Sequence, residues 1–275
     1  MRSLVLAGVM CGLASAAAHA ADLPDLPILR GSVTDGLTSS RTNWEGYYVG
    51  VQGGYGTSNM NFKGSTQTVA AHLLSGLEME QEQQVSGWPI MGKVSVHGSG
   101  YGAFAGYNGQ WEDVVLGVEA SYMHGSFGGS QTDSMSRFFT LPSGYTDGVT
   151  YEGTSQIKIS DMATLRGRAG YAIGSFLPYA FFGLALGQAD IIRTAHIFGT
   201  QVNPNAAPGF QNVPFDLSAT DGQYQHLIYG YSAGLGVDIN IYGGLFARAE
   251  YEYIRFTSTV DTSINTVRAG LGYKF

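Results

Sequence analysis

The segment TVRAGLGYKF, residues 266–275, alternates apolar side chains with small or polar ones without interruption. Its apolar parity consists of Val267, Ala269, Leu271, Tyr273 and Phe275. Successive side chains of a β-strand point to opposite faces, so the segment is expected to be a strand with one apolar and one polar face. Chain ends of soluble proteins are more often polar and frayed. The question is whether the rest of the chain repeats this pattern.

The amino-terminal residues have the features of an export signal. Arg2 precedes a mostly apolar stretch, and Ala18-His19-Ala20 fits a cleavage site with small residues at its first and third positions. We expect residues 1–20 to be a signal peptide that is cleaved near Ala20, and residues 21–43 to be a periplasmic segment. The single cysteine, Cys11, falls within the signal, so no disulfide is expected.

The composition is unusual for a soluble enzyme. The chain has 40 glycines, 17 tyrosines and 14 phenylalanines, but only 13% charged residues. Its formal net charge of −7, without a basic stretch, argues against a nucleic-acid partner. Beyond the signal, no apolar run approaches the roughly 18 residues of a membrane-spanning helix. Any passage through a membrane is therefore expected to use strands.

Seven further segments show the same alternation and predict seven further strands. They begin near Tyr47, Tyr101, Val114, Ile157, Tyr179, Leu227 and Leu245. In the fourth strand, Ile157, Ile159 and Leu165 share one parity. The connections between the second and third, fourth and fifth, and sixth and seventh strands are predicted to be short. They lie at Asn108-Gly109, Gly174-Ser175 and Tyr242-Gly243. Three of the other connections are long, at about residues 56–98, 125–154 and 191–223, and a tight turn lies near residues 257–261.

An even number of strands with short turns on one side and long loops on the other is typical of transmembrane barrels. The sequence predicts an all-β fold, an eight-stranded antiparallel transmembrane β-barrel over residues 44–275, with periplasmic turns and extracellular loops. A soluble β-sandwich is the alternative. Aromatic residues near strand ends favour the barrel, because such residues form girdles at membrane interfaces. The girdle is predicted to include Tyr47, Tyr55, Tyr107, Tyr171 and Tyr251.

Several segments also resemble a known family. TNWEGYYVGVQGGYG, LRGRAGYA, GYSAGLGVD, ARAEYEYI and the closing VRAGLGYKF are similar to the small outer-membrane β-barrel proteins of alphaproteobacteria, an OmpA-like, porin-family group with surface antigens and hemin-binding proteins. The resemblance implies location in the bacterial outer membrane. It also implies that Leu271, Tyr273 and Phe275 form the signal read by the barrel-assembly machinery. The long loops match no family motif.

The face opposite the apolar one carries charged residues that we expect inside the barrel. They are Glu119, Arg166, Arg168, Arg248, Glu250 and Glu252. Buried charges must pair or stay hydrated, so a luminal charge network is predicted, with Glu119 nearest Arg166 or Arg168. An eight-stranded lumen is nearly filled by side chains. A plugged lumen is the main hypothesis, and a small porin-like channel is the alternative.

Hemin binding is a second alternative. Imidazole ligates haem iron, and the external regions contain His72, His97, His124, His196 and His226. These histidines lack the spacing of a metal site. We therefore expect neither a metal nor a cofactor.

A lipid hydrolase is a third alternative. His124 and Ser126 share the lipid-facing parity at the outer end of the third strand, the height at which outer-membrane lipid hydrolases place a His and a Ser. A catalytic base needs an orienting carboxylate. The following loop offers Asp133, Asp147 and Glu152, none in an evident position. The sequence therefore predicts no catalytic residue and no enzymatic activity.

The overall hypothesis is an integral outer-membrane barrel with a structural and surface-interaction role. The expected partners are outer-membrane lipid and lipopolysaccharide, the barrel-assembly machinery and an unknown extracellular ligand at the loops. Residues 65–84 are expected to form either a short helix or strand extensions.

Overall fold

Eight antiparallel strands close into a barrel in a computed structural model that describes residues 42–88, 91–258 and 260–275. Each strand pairs with the next, and β8 pairs with β1. The strands are β1 Gly46–Asn61, β2 Lys93–Trp111, β3 Val114–Thr140, β4 Thr146–Tyr171, β5 Phe176–Val202, β6 Asn212–Tyr242, β7 Leu245–Thr257 and β8 Asp261–Lys274. The eight-stranded prediction is confirmed. The signal peptide and the segment 21–41 lie outside the described residues, so the division of the chain stays a prediction.

One end of the barrel has three two-residue turns. They consist of Glu112-Asp113, Gly174-Ser175 and Gly243-Gly244. Glu112, Gly174 and Gly243 have φ between 54° and 58°, in the left-handed region that such hairpins use. The expected turn at Asn108-Gly109 was wrong, because both residues lie inside β2 opposite Gly117 and Leu116.

The other end of the barrel is uneven in height. Strands β3 to β6 have 26 to 31 residues, whereas β1, β7 and β8 have 13 to 16. Most of the regions 125–154 and 191–223 are therefore strand and not the long loops that were expected. Cross-strand hydroxyl pairs accompany the ladder there, including Thr132 with Thr154 at 2.9 Å and Thr194 with Thr220 at 3.0 Å. We use the name extension for the part of strands β3 to β6 that lies farther from the short turns than the His124–Asp161 pair does.

Irregular pairing inverts the alternation in two strands. In the pairing of β4 with β5, Ser160 of β4 is an extra residue without a partner on β5. In the pairing of β5 with β6, two residues of β6, Tyr224 and Gln225, lie opposite the single residue Asp190 of β5. An extra residue sends all following side chains to the opposite face. Ile157 and Ile159 therefore point inward and are at most 1% exposed. Their assignment to the face of Leu165, which is 63% exposed, was wrong.

The connection between β1 and β2 contains two short helices. They are α1, Gln67–Leu73, and α2, Glu78–Gln83, followed by a 3-10 turn at Val85–Gly87. The helical alternative for residues 65–84 is the one that the structure shows. In the described part of the chain, no helix has the length and apolarity to cross a membrane.

Candidate functional site

The middle of the barrel holds a layer of paired charges centred on Glu119. Its Oε1 accepts from Arg166 Nη2 at 2.5 Å and from Arg166 Nε at 3.0 Å. Its Oε2 accepts from Arg248 at 2.8 Å, from Arg168 at 3.3 Å and from the Tyr48 hydroxyl at 2.8 Å. Glu119 thus contacts three guanidinium groups from two other strands.

The remaining acids complete this charge layer. Asp238 accepts from Arg168 at 2.7 Å and from Arg248 at 2.8 Å. Glu250 accepts from Arg166 at 2.7 Å and from the Tyr179 hydroxyl at 2.5 Å. Glu252 pairs with Arg268 and lies 3.4 Å from Arg166. The layer contains Glu119, Asp238, Glu250 and Glu252 with Arg166, Arg168, Arg248 and Arg268, none with a side chain more than 2% exposed.

All six residues named from the sequence thus lie together in the lumen, and two members were missed. Asp238 and Arg268 share the inward parity of their strands, so the alternation contained the signal for both. With them, the described layer has four acids and four arginines, and its formal charges balance.

Aromatic rings cover the guanidinium faces. Arg166 lies over Phe181 at 4.0 Å, Arg168 over Tyr179 at 3.8 Å and Arg248 over Phe104 at 3.9 Å from the ring centroid. Such cation–π contacts strengthen when water is excluded. The arginine planes are therefore held on their faces by rings as well as at their edges by carboxylates.

Apolar side chains fill the lumen on both sides of the charge layer. Toward the short turns lies a cluster that includes Trp44, Tyr48, Phe104, Leu177 and Phe246. Toward the extension lies a larger cluster that includes Phe62, Met123, Phe127, Ile159, Met162 and Phe256. The sequence predicted a lumen filled largely by polar and charged side chains, and these two apolar clusters add to that filling. The bulge at Ser160 hid part of the outer cluster, because it sends Ile157 and Ile159 inward.

The predicted girdle tyrosines all face outward. Tyr47, Tyr55, Tyr107, Tyr171 and Tyr251 are 39% to 69% exposed. At the end of the chain, Leu271 and Tyr273 of β8 and the following Phe275 are also outward and at least 50% exposed. The rings of Tyr273 and Phe275 lie 5.3 Å apart, and Phe275 N donates to Tyr47 O at 2.9 Å. This placement suits a membrane-facing strand, and the assembly role stays a prediction.

The helical segment packs against the inner face of the extension. Val69, Ala70, Leu74 and Val85 contact a cluster that includes Val149, Tyr151, Ala195 and Ile197. Thr66 and Tyr151 share a hydrogen bond of 2.7 Å, and Arg193 donates to Ser65 O at 3.3 Å. We call residues 65–88 the cap.

The sequence of this barrel matches a known protein family. Residues 5–275 match the outer membrane protein beta-barrel domain family. The chain belongs to that family. It is therefore an integral protein of the bacterial outer membrane.

Family relatives include the 25 kDa outer-membrane immunogenic protein of Brucella ovis, 24% identical over 276 residues that cover 100% of this chain and 98% of the relative. The 22 kDa outer membrane protein of Rhizobium leguminosarum bv. viciae is 24% identical over 243 residues, 85% of this chain and 79% of the relative. The expected alphaproteobacterial family is confirmed.

Two solved structures are similar to this family member. The attachment invasion locus protein Ail of Yersinia pestis aligns with 84% of this chain and 99% of its own, at a TM-score of 0.37 and 14% identity. Neisserial surface protein A aligns with 83% of this chain and 97% of its own, at a TM-score of 0.33 and 13% identity.

The external histidines of this family member do not form one group. His196 contacts Asp216 at 2.9 Å, and the His97 ring stacks on Tyr55 at 5.8 Å. Across residues 42–88, 91–258 and 260–275, no three metal-binding side chains come together.

His124 has the carboxylate partner that the sequence did not reveal. Its Nδ1 lies 2.8 Å from Asp161 Oδ1, which also accepts from the Tyr122 hydroxyl at 2.5 Å. Asp161 is 37 residues away in sequence but directly opposite His124 in the β3–β4 register. The contact depends on strand register, so proximity in sequence does not indicate it.

Proposed function

We propose that this barrel is a non-conducting membrane anchor that displays the extension and cap as an interaction surface to the cell's environment. The observation that carries the proposal is the charge layer, in which four acids and four arginines pair with one another across the lumen. Charges bound in this way have no spare capacity for a hydrated ion. Apolar clusters on both sides further oppose a water-filled path.

The extension supports the surface role. Beyond His124, β3 continues for about 50 Å along the strand at the usual rise per strand residue. The cap covers the inner face of the extension, so the tips and the outer face of the extension are left for contact with partners. Surface-exposed, variable segments on a rigid scaffold are where binding specificity is normally found. The immunogenic relatives are consistent with exposure at the cell surface.

A small porin-like channel and a hemin receptor are less well supported. The channel requires a break in the charge layer, and hemin requires a free histidine ligand in a suitable pocket. The proposed role requires no catalysis. Lipopolysaccharide and the assembly machinery stay proposed partners, because lipopolysaccharide surrounds outer-membrane barrels and the assembly machinery inserts them.

Epitope insertion tests the surface display. A short epitope is inserted after Gly144, at the β3–β4 tip, or after Gly209, at the β5–β6 tip, both with φ near +90° in exposed turns. The matched control carries the same epitope after Gly243, at the opposite end. We expect antibody to label intact cells with the tip insertions, and to label the control only after permeabilisation. Equal labelling of the control on intact cells would contradict the orientation.

A further inference from the structure

His124, Ser126 and Asp161 lie on the lipid-facing side of β3 and β4, at the outer end of the membrane-spanning wall. The rows of paired residues follow one another along the strands. Ala120 is opposite Leu165, then Tyr122 opposite Ala163, then His124 opposite Asp161. Ser126 comes next on β3, opposite Ser99 of β2. The wall thus changes from apolar to polar within three rows.

The tautomer of His124 follows from its partner. An ionised carboxylate only accepts hydrogen bonds, so Nδ1 carries the proton that is donated to Asp161 at 2.8 Å. In the neutral imidazole with the proton on Nδ1, Nε2 carries the lone pair. Asp161 is itself held by Tyr122 at 2.5 Å and by the Ser160 hydroxyl at 2.7 Å. A histidine base that is oriented by an anchored carboxylate is the arrangement that activates a serine nucleophile.

Ser126 is the hydroxyl placed to use this base. It is two residues from His124 on the same face, about 7 Å along the strand, and both residues line one cavity of about 460 Å³. Lys158 lines the same cavity and supplies a positive charge. The ladder between β3 and β4 is irregular between His124 and Phe127, and bulges often re-aim side chains next to active sites. Hydrogen bonds between nucleophile and base commonly tighten only when substrate binds.

A separate apolar groove lies on the same outer wall, on the membrane side of this cavity. It has a volume of about 740 Å³ and is floored by Ala103, Ala105, Ala120 and Ala163 between larger side chains such as Val51 and Leu186. Tyr122 belongs both to the groove and to the hydrogen bonds of Asp161. The groove faces the hydrocarbon layer, so its occupant is the acyl chain of a lipid. The ester group of that lipid then lies at the height of His124 and Ser126.

We propose that His124, Ser126 and Asp161 form a hydrolytic site for long-chain acyl esters of outer-leaflet lipids. Ser126 Oγ attacks the ester carbonyl carbon while His124 Nε2 takes the hydroxyl proton. The bond from carbonyl carbon to alkoxy oxygen breaks, and His124 returns the proton to the departing alcohol. Water then attacks the acyl-serine by the same route, which releases the fatty acid and restores Ser126. Asp161 is a positioning residue, and Lys158 stabilises the oxyanion.

This inference is independent of the proposed surface role, and it departs from the sequence-based expectation of no enzymatic activity. That expectation rested on the missing carboxylate, which Asp161 supplies. Lipid A and glycerophospholipid both carry long-chain acyl esters, and they are separate arms of the test. Failure of the site would leave the closed lumen and the surface display unaffected.

The test uses the full chain, folded in detergent micelles and checked for heat-modifiable migration on gels. A fluorophosphonate probe, a long-chain nitrophenyl ester, purified lipopolysaccharide and phospholipid are supplied in turn. We expect the probe on Ser126 and release of fatty acid from at least one lipid. Ser126→Ala abolishes both, and His124→Gln lowers the rate by about a hundredfold or more. Ser130→Ala, which removes an exposed serine farther along β3 and outside the cavity, is the matched control and leaves the rate unchanged.

Three further variants separate positioning and chain binding from a general loss of structure. Asp161→Asn is expected to lower kcat at an unchanged KM, and Asp161→Glu to restore part of it. Ala120→Leu narrows the groove, so it raises KM for a long-chain ester but not for an acetyl ester. The proposal is overturned if folded protein incorporates no probe at Ser126 and releases no more fatty acid than Ser126→Ala does. Equal labelling of Ser130 and Ser126 would also overturn it.

Discussion

Glu119 lies directly opposite Arg166 in the β3–β4 register and binds it through two of its guanidinium nitrogens, at 2.5 and 3.0 Å. The same carboxylate also accepts from Arg168 and Arg248. One acidic side chain therefore fixes the positions of three buried arginines, and much of the lumen depends on it.

Removal of this carboxylate should destabilise the barrel strongly. Glu119→Ala leaves three arginines with less negative charge in a dry interior, and loss of one partner from a buried ionic cluster costs about 3–5 kcal/mol. We expect a lower unfolding temperature in detergent, measured by heat-modifiable gel migration and circular dichroism. Glu45→Ala, at an exposed position, is the control and should leave the temperature unchanged. Equal effects of the two changes would contradict the paired layer.

The pair of Glu252 and Arg268 should show strong coupling. Glu252→Leu or Arg268→Leu alone leaves a buried charge without its main partner, whereas the double change removes both charges and supplies apolar volume. Replacement of a whole buried ion pair is often close to neutral. A double-mutant cycle on urea unfolding in detergent should therefore give a double variant more stable than the less stable single variant. Strictly additive losses would show that the two side chains do not interact.

The cap should be separable from the barrel. Leu74 is fully buried between the cap and the extension, whereas Leu77 is 37% exposed. Leu74→Ala should cost about 2–5 kcal/mol of local packing, and Leu77→Ala much less. Hydrogen exchange of residues 67–83 should speed up in the first variant alone, with unchanged exchange in β1 and β8. Faster exchange throughout the strands would mean that the cap also supports the barrel.

Asp147 should make the cap sensitive to pH. Burial raises the pKa of this carboxyl, and Glu78 of α2 adds to the effect, while the side chain of Gln201, opposite Asp147 on β5, lowers the pKa in part. With a raised folded pKa, the ionised form destabilises the folded state at neutral pH. The penalty disappears as pH falls through that raised value toward the ordinary value of about 3.9.

Asp147→Asn resembles the protonated carboxyl, so it should increase protection of α2 amides at neutral pH. The two proteins should converge in acid, after exchange rates are corrected for intrinsic pH dependence. A larger advantage for the variant in acid than at neutral pH would contradict the direction of the shift.

The terminal strand provides a prediction about assembly. Tyr273→Ala combined with deletion of Phe275 removes two outward rings, 5.3 Å apart, that the family resemblance assigns to recognition by the assembly machinery. We expect much less barrel in the outer-membrane fraction but normal refolding of purified chain in detergent. Tyr171→Ala, an outward tyrosine on β4, is the control. Equal loss from both variants would point to general lipid contact and not to a terminal signal.

Alternation along the strands predicted most of the membrane-spanning wall. Leu165, Leu235 and Leu271 face outward as expected, since one lipid-facing side chain in every two residues is a strong pattern. The same rule placed Glu119 beside Arg166. Asp238 and Arg268 follow the same rule, but alternation within one strand does not show which residues of other strands lie next to them.

The errors came from features that parity cannot see. A single bulge at Ser160 turns Ile157 and Ile159 inward. The alternation of residues along the sequence does not reveal such an extra residue. The extension has polar residues outside and a mixed face inside, so it resembled loop. Asp161 was overlooked because the contact with His124 depends on strand register and not on distance along the chain.

Planar-bilayer recording tests the closed lumen most directly. Purified full-length protein should insert without producing resolvable conductance steps at either polarity. A variant that carries both Arg166→Ala and Arg248→Ala, which removes two arginines from the charge layer, is the comparison and should leak if it folds. Regular steps from the unmodified protein, well above the bare-membrane current, would contradict the account.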